Sequence, residues 1–294
     1  MSVPCDLEVI QIDQGNTGPN GVTGECGQTP ITPIEARSGS KSVEIVGGIV
    51  ARPYSWPWQA ALEVNMIGTM FFACSATVIA DQWVMTAAHC AAIDPVEVRL
   101  GVFNRTESAE SGEQIFNVSE LHVHPNYDPE KLTYDIALIK LDRRIEFNDH
   151  VQPVCLPAKL DDVVHADQRV YATGWGLTNY SDPLHSDVRL RQLALPFINS
   201  SECQKDYDHF TVHFDPKTMV CTGNKGHSVC DGDSGGPLVR KHNATGQWYQ
   251  IGIASWTEKP CALEKKPGVF TNVAFMCDFV EKVVGSKICH SPKA

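Results

Sequence analysis

The sequence predicts an all-β protein closed by one carboxy-terminal α-helix. Three observations predict it. Short apolar runs of strand length recur from Ile45 onward, bounded by Gly, Pro, Asn and Asp. Only the final run has helical periodicity. Residues 1–44 have no sustained periodicity at all.

In chain order, residues 1–44 come first, rich in Gly, Pro, Thr, Ser and Asn. That composition predicts an extended, propeptide-like segment with little core of its own, with Cys26 as a candidate tether. Strands are predicted at Gln59–Val64, Ser75–Ile79, Val96–Leu100, Ile136–Leu141, Val170–Thr173, Gly235–Val239, Tyr249–Ser255 and Gly268–Val273. A polar break near Pro157–Asp167 divides the body into about 45–157 and about 158–294. Over Val273–Val284, Val273, Phe275, Met276, Phe279, Val280, Val283 and Val284 cluster on one helical face. Many short strands with one terminal helix fit packed barrels or sandwiches.

Composition narrows the class. The 294 residues suffice for sizeable cores. A net charge of -11 argues against nucleic acid or an anionic membrane as partner. No stretch is apolar for long enough to span a bilayer. The 11 cysteines point to disulfides and an oxidising compartment. Sequons at Asn104, Asn117, Asn179, Asn199 and Asn243 agree, each a candidate glycosylation site. Met1–Glu8 has neither the basic start nor the apolar run of a signal peptide. Secretion is therefore read from the cysteines and sequons.

The chemistry centres on Gly232-Asp233-Ser234-Gly235-Gly236-Pro237. Glycines permit unusual backbone angles and close approach. A serine on such a turn presents a hydroxyl beside free N–H groups, which suits acyl transfer. His89, in Thr86-Ala87-Ala88-His89-Cys90, and Asp135, at the mouth of an apolar strand, are each weak signals alone.

Taken together, these stretches resemble the trypsin and chymotrypsin-like serine endopeptidases. Ile45-Val46-Gly47-Gly48, Thr86–Cys90, Asp135–Leu141, Thr173–Gly176, Gly232–Pro237, Ser255-Trp256 and Pro267–Phe270 match in the family's order over nearly all of 45–285. The resemblance implies two packed antiparallel β-barrels with the site between them. It implies Ser234 as nucleophile, His89 as general base and Asp135 as its orienter. The N–H groups of Gly232 and Ser234 would form the oxyanion hole. It also implies the disulfides Cys74–Cys90, Cys203–Cys221, Cys230–Cys261 and Cys26–Cys155. Val170 and Arg240 stand where many relatives have a further bridge. Cys5, Cys277 and Cys289 remain, with Cys277–Cys289 the expected pair.

By the same resemblance, cleavage before Ile45 frees an ammonium that pairs with Asp233. Glu44 precedes the cut where relatives usually have Arg or Lys, with Arg37 and Lys41 further upstream. The pocket base is Ser228, six residues before Ser234, and not the Asp of trypsin-like enzymes. Val229 narrows one side, Thr257 after Ser255-Trp256 obstructs the mouth, and Gly268 leaves the far wall open. That favours small-to-medium apolar P1 residues over Lys or Arg, with trypsin-like preference as the alternative.

The loop 101–114 carries Glu107, Glu110 and Glu113, but Val102 replaces the Glu frequent in calcium binders. A surface acidic loop is favoured over a calcium site, and no other cofactor is expected. His122 and His124 lack a third metal ligand at usual spacing. The expected partners are protein or peptide substrates and protein protease inhibitors, with the chain a monomer. An inactive protease-fold binding module is the alternative from another class. An esterase is disfavoured, because no strand–turn–helix setting surrounds Ser234.

Overall fold

Six strands close on themselves in the first half of the chain. In this computed structural model, residues 25–35, 48–107, 112–177, 188–207, 213–223, 228–261 and 266–292 are described. A short strand, β1 (Ile49–Val50), precedes β2 (Gln59–Met66), β3 (Thr69–Ala80), β4 (Trp83–Thr86), β5 (Glu97–Leu100), β6 (Gln114–Val123) and β7 (Ala137–Leu141). The order β2-β3-β4-β7-β6-β5 forms a closed antiparallel barrel. Closure removes the sheet edges that would otherwise pair with other chains.

The second half repeats the solution. Its strands are β8 (Arg169–Gly174), β9 (Arg191–Ile198), β10 (Met219–Thr222), β11 (Pro237–Lys241), β12 (Trp248–Trp256) and β13 (Gly268–Asn272). They run β9-β10-β13-β12-β11-β8, and β8 pairs back onto β9 to close the ring. β1 adds to β9 from outside, at Ile49↔Gln192.

Alternation along each strand fills the interiors. Leu62, Met85, Leu100, Phe116 and Ile139 are buried in the first barrel's cluster. Val170, Leu195, Leu238, Ile251 and Phe270 are buried in the second. Each such side chain contributes roughly 1.5–3 kcal/mol by leaving water. Between the barrels, Trp56 meets Trp248 edge-on at 4.9 Å and Tyr171 at 5.7 Å. Two buried polar pairs join the segments there. Thr173 Oγ1 donates to Gln59 Oε1 at 2.6 Å, and Trp56 Nε1 donates to Gln192 Oε1 at 3.1 Å. These contacts fix the barrels against each other and so fix the cleft.

All eight predicted strands form. β1, β4, β6, β9 and β10 were not predicted. β10 and β4 are only four residues long and wholly buried. β6 is half-exposed along most of its length, so its apolar pattern is diluted. β9 carries Pro196, which reads against a strand.

Two helices also escaped the periodicity: α1 (Ala88–Ala91) and α2 (Ser200–Tyr207). For α2 the signal lay in its cap. Asn199 Oδ1 accepts from the N–H of Glu202 at 2.9 Å, an Asn-x-x-Glu start that overlaps the Asn199 sequon. The terminal helix divides into a 3-10 turn, Ala274–Met276, and α3 (Cys277–Val284), stopped by Gly285 in the left-handed region. Val273, Met276 and Val280 are buried, but Phe275 is exposed rather than on the core face.

The described part of the amino-terminal segment lies against the body. Cys26 is bonded to Cys155, Gly27 exchanges backbone hydrogen bonds with Pro153 and Trp248, and Arg52 reaches the Thr32 carbonyl at 2.8 Å. Among the described residues, no helix is long and apolar enough to cross a membrane.

Candidate active site

His89 sits on α1, a single turn whose cap residue, Ala87, offers no side-chain hydrogen bond. A carboxylate from elsewhere does the capping. Asp135 Oδ1 accepts from the His89 N–H at 2.9 Å, and Oδ2 lies 2.8 Å from the His89 ring Nδ1. One acid thus fixes both the turn and the ring. The Cys74–Cys90 disulfide ties the same turn to β3.

Asp135 is fully buried. A carboxylate survives such burial only when its lone pairs are satisfied. Ser255 Oγ donates to Oδ2 at 2.6 Å, and Thr271 Oγ1 donates to the Asp135 carbonyl at 2.7 Å. Its charge helps push the half-buried Tyr127 phenol up to about 12, where burial is the larger cause. Tyr134, just before it, holds a left-handed backbone (φ 53°) while stacking on His124 at 4.7 Å. A non-glycine residue there is strained, and packing keeps it in place. Thr271 and Tyr134 support the site, and sequence reading gave neither a role. Their signal was adjacency only: Thr271 follows Pro267–Phe270, and Tyr134 precedes Asp135.

Ser234 comes from the second barrel but is gripped by the first. Its carbonyl accepts from the Ser75 N–H on β3 at 2.8 Å. A Cβ on Gly235 would lie 2.2 Å from Thr86 Oγ1 and 3.3 Å from Ala87 N, so the turn rests on the segment leading into His89. Gly232 has φ +95°, which glycine alone adopts without strain. The N–H groups of Gly232 and Ser234 form no hydrogen bond among the described residues. Two unspent donors beside a serine hydroxyl can receive an oxyanion.

Asp233 points away from Ser234, toward Gly174 and Gly176. A Cβ on either glycine would come within 2.4 Å of its carboxylate, so only glycine leaves it room. Its oxygens accept from the N–H groups of Gly176 and Cys230, each at 2.9 Å. Burial pushes its carboxyl up to about 6, against those two N–H bonds, with the nearby Asp231 charge adding to the rise. A small cavity adjoins Asp233, lined by Gly174, Gly176, Gln192 and Ser228 among others. Among the described residues Asp233 makes no ion pair, although Arg191, whose guanidinium donates to the Gly48 carbonyl, lines the same cavity. Ile45 and Glu44 lie outside the described residues.

The family model described as Trypsin matches residues 45–280. The chain belongs to the trypsin family of serine endopeptidases. This trypsin-family chain is 36% identical over 249 residues to coagulation factor XI of Bos taurus. It is 35% identical over 248 residues to tryptase of Mus musculus. Each match takes in 82% of the chain. The chain covers 38% of the length of the factor XI relative and 88% of the tryptase.

Beside Ser234, the trypsin-family chain opens a cavity of about 150 Å³, lined by Val229, Ser255, Trp256, Thr257 and the rim pair Asp231 and Lys259. Ser228 is buried and lines the cavity next to Asp233 instead, but its Oγ lies 3.3 Å from Thr257 Oγ1. The two hydroxyls meet behind Val229, which lines both cavities. A Cβ on Gly268 would be 2.9 Å from Ser228 Oγ and 3.1 Å from Val229 Cγ2. The far wall is therefore closely apposed, not open as expected from glycine alone. Lys259 Nζ neutralises Asp231 at 2.9 Å, while Cys230–Cys261 links the same two walls covalently.

Cys203–Cys221 and Cys277–Cys289 complete the bridges among the described residues. In the 101–114 loop the acids already have partners. Arg99 Nε donates to Glu113 at 2.6 Å, Arg99 Nη1 donates to Glu63 at 3.0 Å, and Asn104 Nδ2 donates to Glu107 at 2.7 Å. Glu110 lies outside the described residues. His122 pairs with Glu120 at 2.9 Å, whereas His124 stacks on Tyr134 and lies tilted against Phe279, so the two histidines do not converge. Among the described residues, Asn117, Asn199 and Asn243 are exposed and Asn104 is half-buried; Asn179 lies outside them.

Proposed function

We propose that the chain hydrolyses peptide bonds through an acyl-enzyme. Ser234 attacks the carbonyl while His89 accepts its proton and later returns it to the leaving amine. Asp135 holds the ring and stabilises its cation. The Gly232 and Ser234 N–H groups receive the developing oxyanion. The observation that carries this reading is the double grip of Asp135 on His89, set against the turn that presents Ser234 between two unspent donors.

The P1 preference is for small-to-medium apolar side chains such as Leu, Met, Val or Ala. The pocket base is neutral, the Ser228–Thr257 contact backs its Val229 wall, and the rim carboxylate is already paired. Selectivity is moderate, since one methylene in such a pocket is worth roughly 1–3 kcal/mol.

The chain is made as a precursor. Asp233, with its adjoining cavity, receives the ammonium freed at Ile45. Gly48 packs against Gln192, which lines that cavity, and three residues of chain reach at most roughly 10 Å. Secretion, glycosylation at the sequons and capture by protein protease inhibitors complete the reading, with the chain a monomer. The Arg99 guanidinium serves the loop 101–114 in place of calcium, so chelator leaves activity unchanged. P1 profiling of material whose new amino terminus has been sequenced tests the whole. A terminus other than Ile45 overturns the activation step, and faster cleavage after Arg than after Leu overturns the pocket reading.

A further inference from the structure

β1, which leads from Gly48 into the body, is two residues long and half-buried. It lies on the outside of the second barrel through Ile49↔Gln192 and Val50↔Arg191. So short a ladder has few hydrogen bonds of its own to hold it in place. Its seat is the backbone of Gln192, because a Cβ on Gly48 would lie 2.1 Å from the Gln192 carbonyl oxygen. Gln192 also lines the cavity beside Asp233.

The Gln192 side chain serves another segment. It is buried, and both ends of its amide are engaged. Oε1 accepts from Trp56 Nε1 at 3.1 Å, and Nε2 donates to the Ile34 carbonyl at 2.5 Å. Ile34 belongs to the amino-terminal segment, 158 positions away in the chain. Two residues earlier, the Thr32 carbonyl accepts from Arg52, just past β1. One residue later, Glu35 pairs with Lys241 of β11 at 2.6 Å. The segment thus touches both the strand on which β1 rests and the chain that follows β1. Cys26–Cys155 keeps it on the body after a cut before Ile45. Were it to leave, the buried Nε2 would lose its acceptor, and an unsatisfied buried donor costs enough to shift the side chain.

We propose that Gln192 is a positioning residue for activation, through which the severed segment 25–35 holds β1 where the Ile45 ammonium can reach Asp233. The proposal rests on the activation reading above and adds a second requirement to it. The new terminus inserts with full strength only while the segment stays docked. The alkaline limb of activity reads this insertion. Loss of the amine proton, at a free value near 8, competes with insertion, so the midpoint lies above that value by the logarithm of the insertion constant. Insertion weakened about tenfold therefore lowers the midpoint by about one pH unit.

The test starts from the full chain carrying Cys26→Ser and Cys155→Ser, cut before Ile45 and stripped of the severed segment by gel filtration. Stripping should leave turnover of a P1-Leu peptide at neutral pH almost unchanged and lower the alkaline midpoint by about one unit. A synthetic peptide of residues 25–35 with Cys26→Ser should restore the midpoint in a saturable way. Gln192→Leu with the disulfides intact should show the low midpoint while the segment is still attached. In the double-serine background, stripping Gln192→Leu should move it no further. A midpoint that stripping leaves in place overturns the proposal, whatever happens to Tm. So does a midpoint that falls equally on stripping with Gln192 or Leu at that position, which takes the residue out of the path. An intact cut enzyme with no alkaline limb overturns the activation reading and this proposal with it. A limb that is present but indifferent to the segment overturns the proposal alone.

Discussion

The first barrel brings a finished half of the site to the cleft, and the second an unfinished one. Asp135 is fully buried, yet its carboxylate accepts from the His89 backbone and from Ser255 and faces the His89 ring nitrogen. Asp233 has two backbone donors, an adjoining cavity and no ion pair among the described residues. Burial pushes Asp233 up to about 6, and the Asp231 charge adds to the rise. The difference teaches that packing alone can build the proton-handling half. The half that presents Ser234 and the oxyanion donors keeps a buried carboxylate with no ion pair among the described residues, the place where the proposed ammonium would act.

The largest test concerns the chemistry the two halves share. Ser234→Ala should lower kcat by about 10⁶ with Tm unchanged, read on a P1-Leu peptide. Asp135→Asn should cost about 10⁴, because it favours the wrong ring tautomer. Comparable losses on both changes would mean the two sides of the cleft act as one unit.

Asp233→Asn separates the halves. Losing a buried ion pair costs about 3–5 kcal/mol, so cleaved material should lose activity by 10²-fold or more. The uncut precursor should keep its stability within about 1 kcal/mol, by thermal unfolding. Equal destabilisation of both forms would break the comparison.

The Asp233 titration sharpens it further. Folded Asp233 sits near 6, above its ordinary 3.8, so it stays neutral below about 6. The uncut chain then binds more protons than the unfolded chain between those values and loses stability as pH rises through them. An Ile-Val dipeptide, binding the charged form, should bind the precursor less tightly below pH 6, by up to about tenfold per unit. It should also fail at alkaline pH, once its amine, with a free value near 8 that pairing raises, loses its proton. A flat calorimetric profile from pH 5 to 7 would remove Asp233 from the switch.

The smallest effect lies in the pocket. Thr257→Gly removes the hydroxyl that meets Ser228. Cleavage after Phe relative to Leu should rise about tenfold in a peptide library, within the range of one or two methylenes.

Much of this was legible in the chain. The eight apolar runs became strands because an interior accepts only alternating or wholly apolar segments of that length. β10 and β4 were too short to show a period, and the Asn199 cap of α2 was hidden under a sequon. The site residues could be named from motifs, yet their support could not. Thr271 lies 136 residues from Asp135, and no local pattern links them. Val102 showed that the usual calcium ligand is missing from the 101–114 loop, but only folding placed Arg99 against Glu113 and Glu63.

By itself, the sequence determined the all-β class, the family resemblance, a serine at 228 where trypsin-like relatives have Asp, and the anomalous Glu44. Those are properties of residue identity and local spacing. Tertiary structure decided what depends on distance: that Asp135 holds both the His89 backbone and its ring, that Thr257 meets Ser228, and that Gly268 has no room to spare. It also decided that Gln192, unremarked in the sequence, joins the amino-terminal segment to the strand beside the Asp233 cavity. Burial and pairing are set by which segments meet, and in closed barrels those segments come from far apart in the chain.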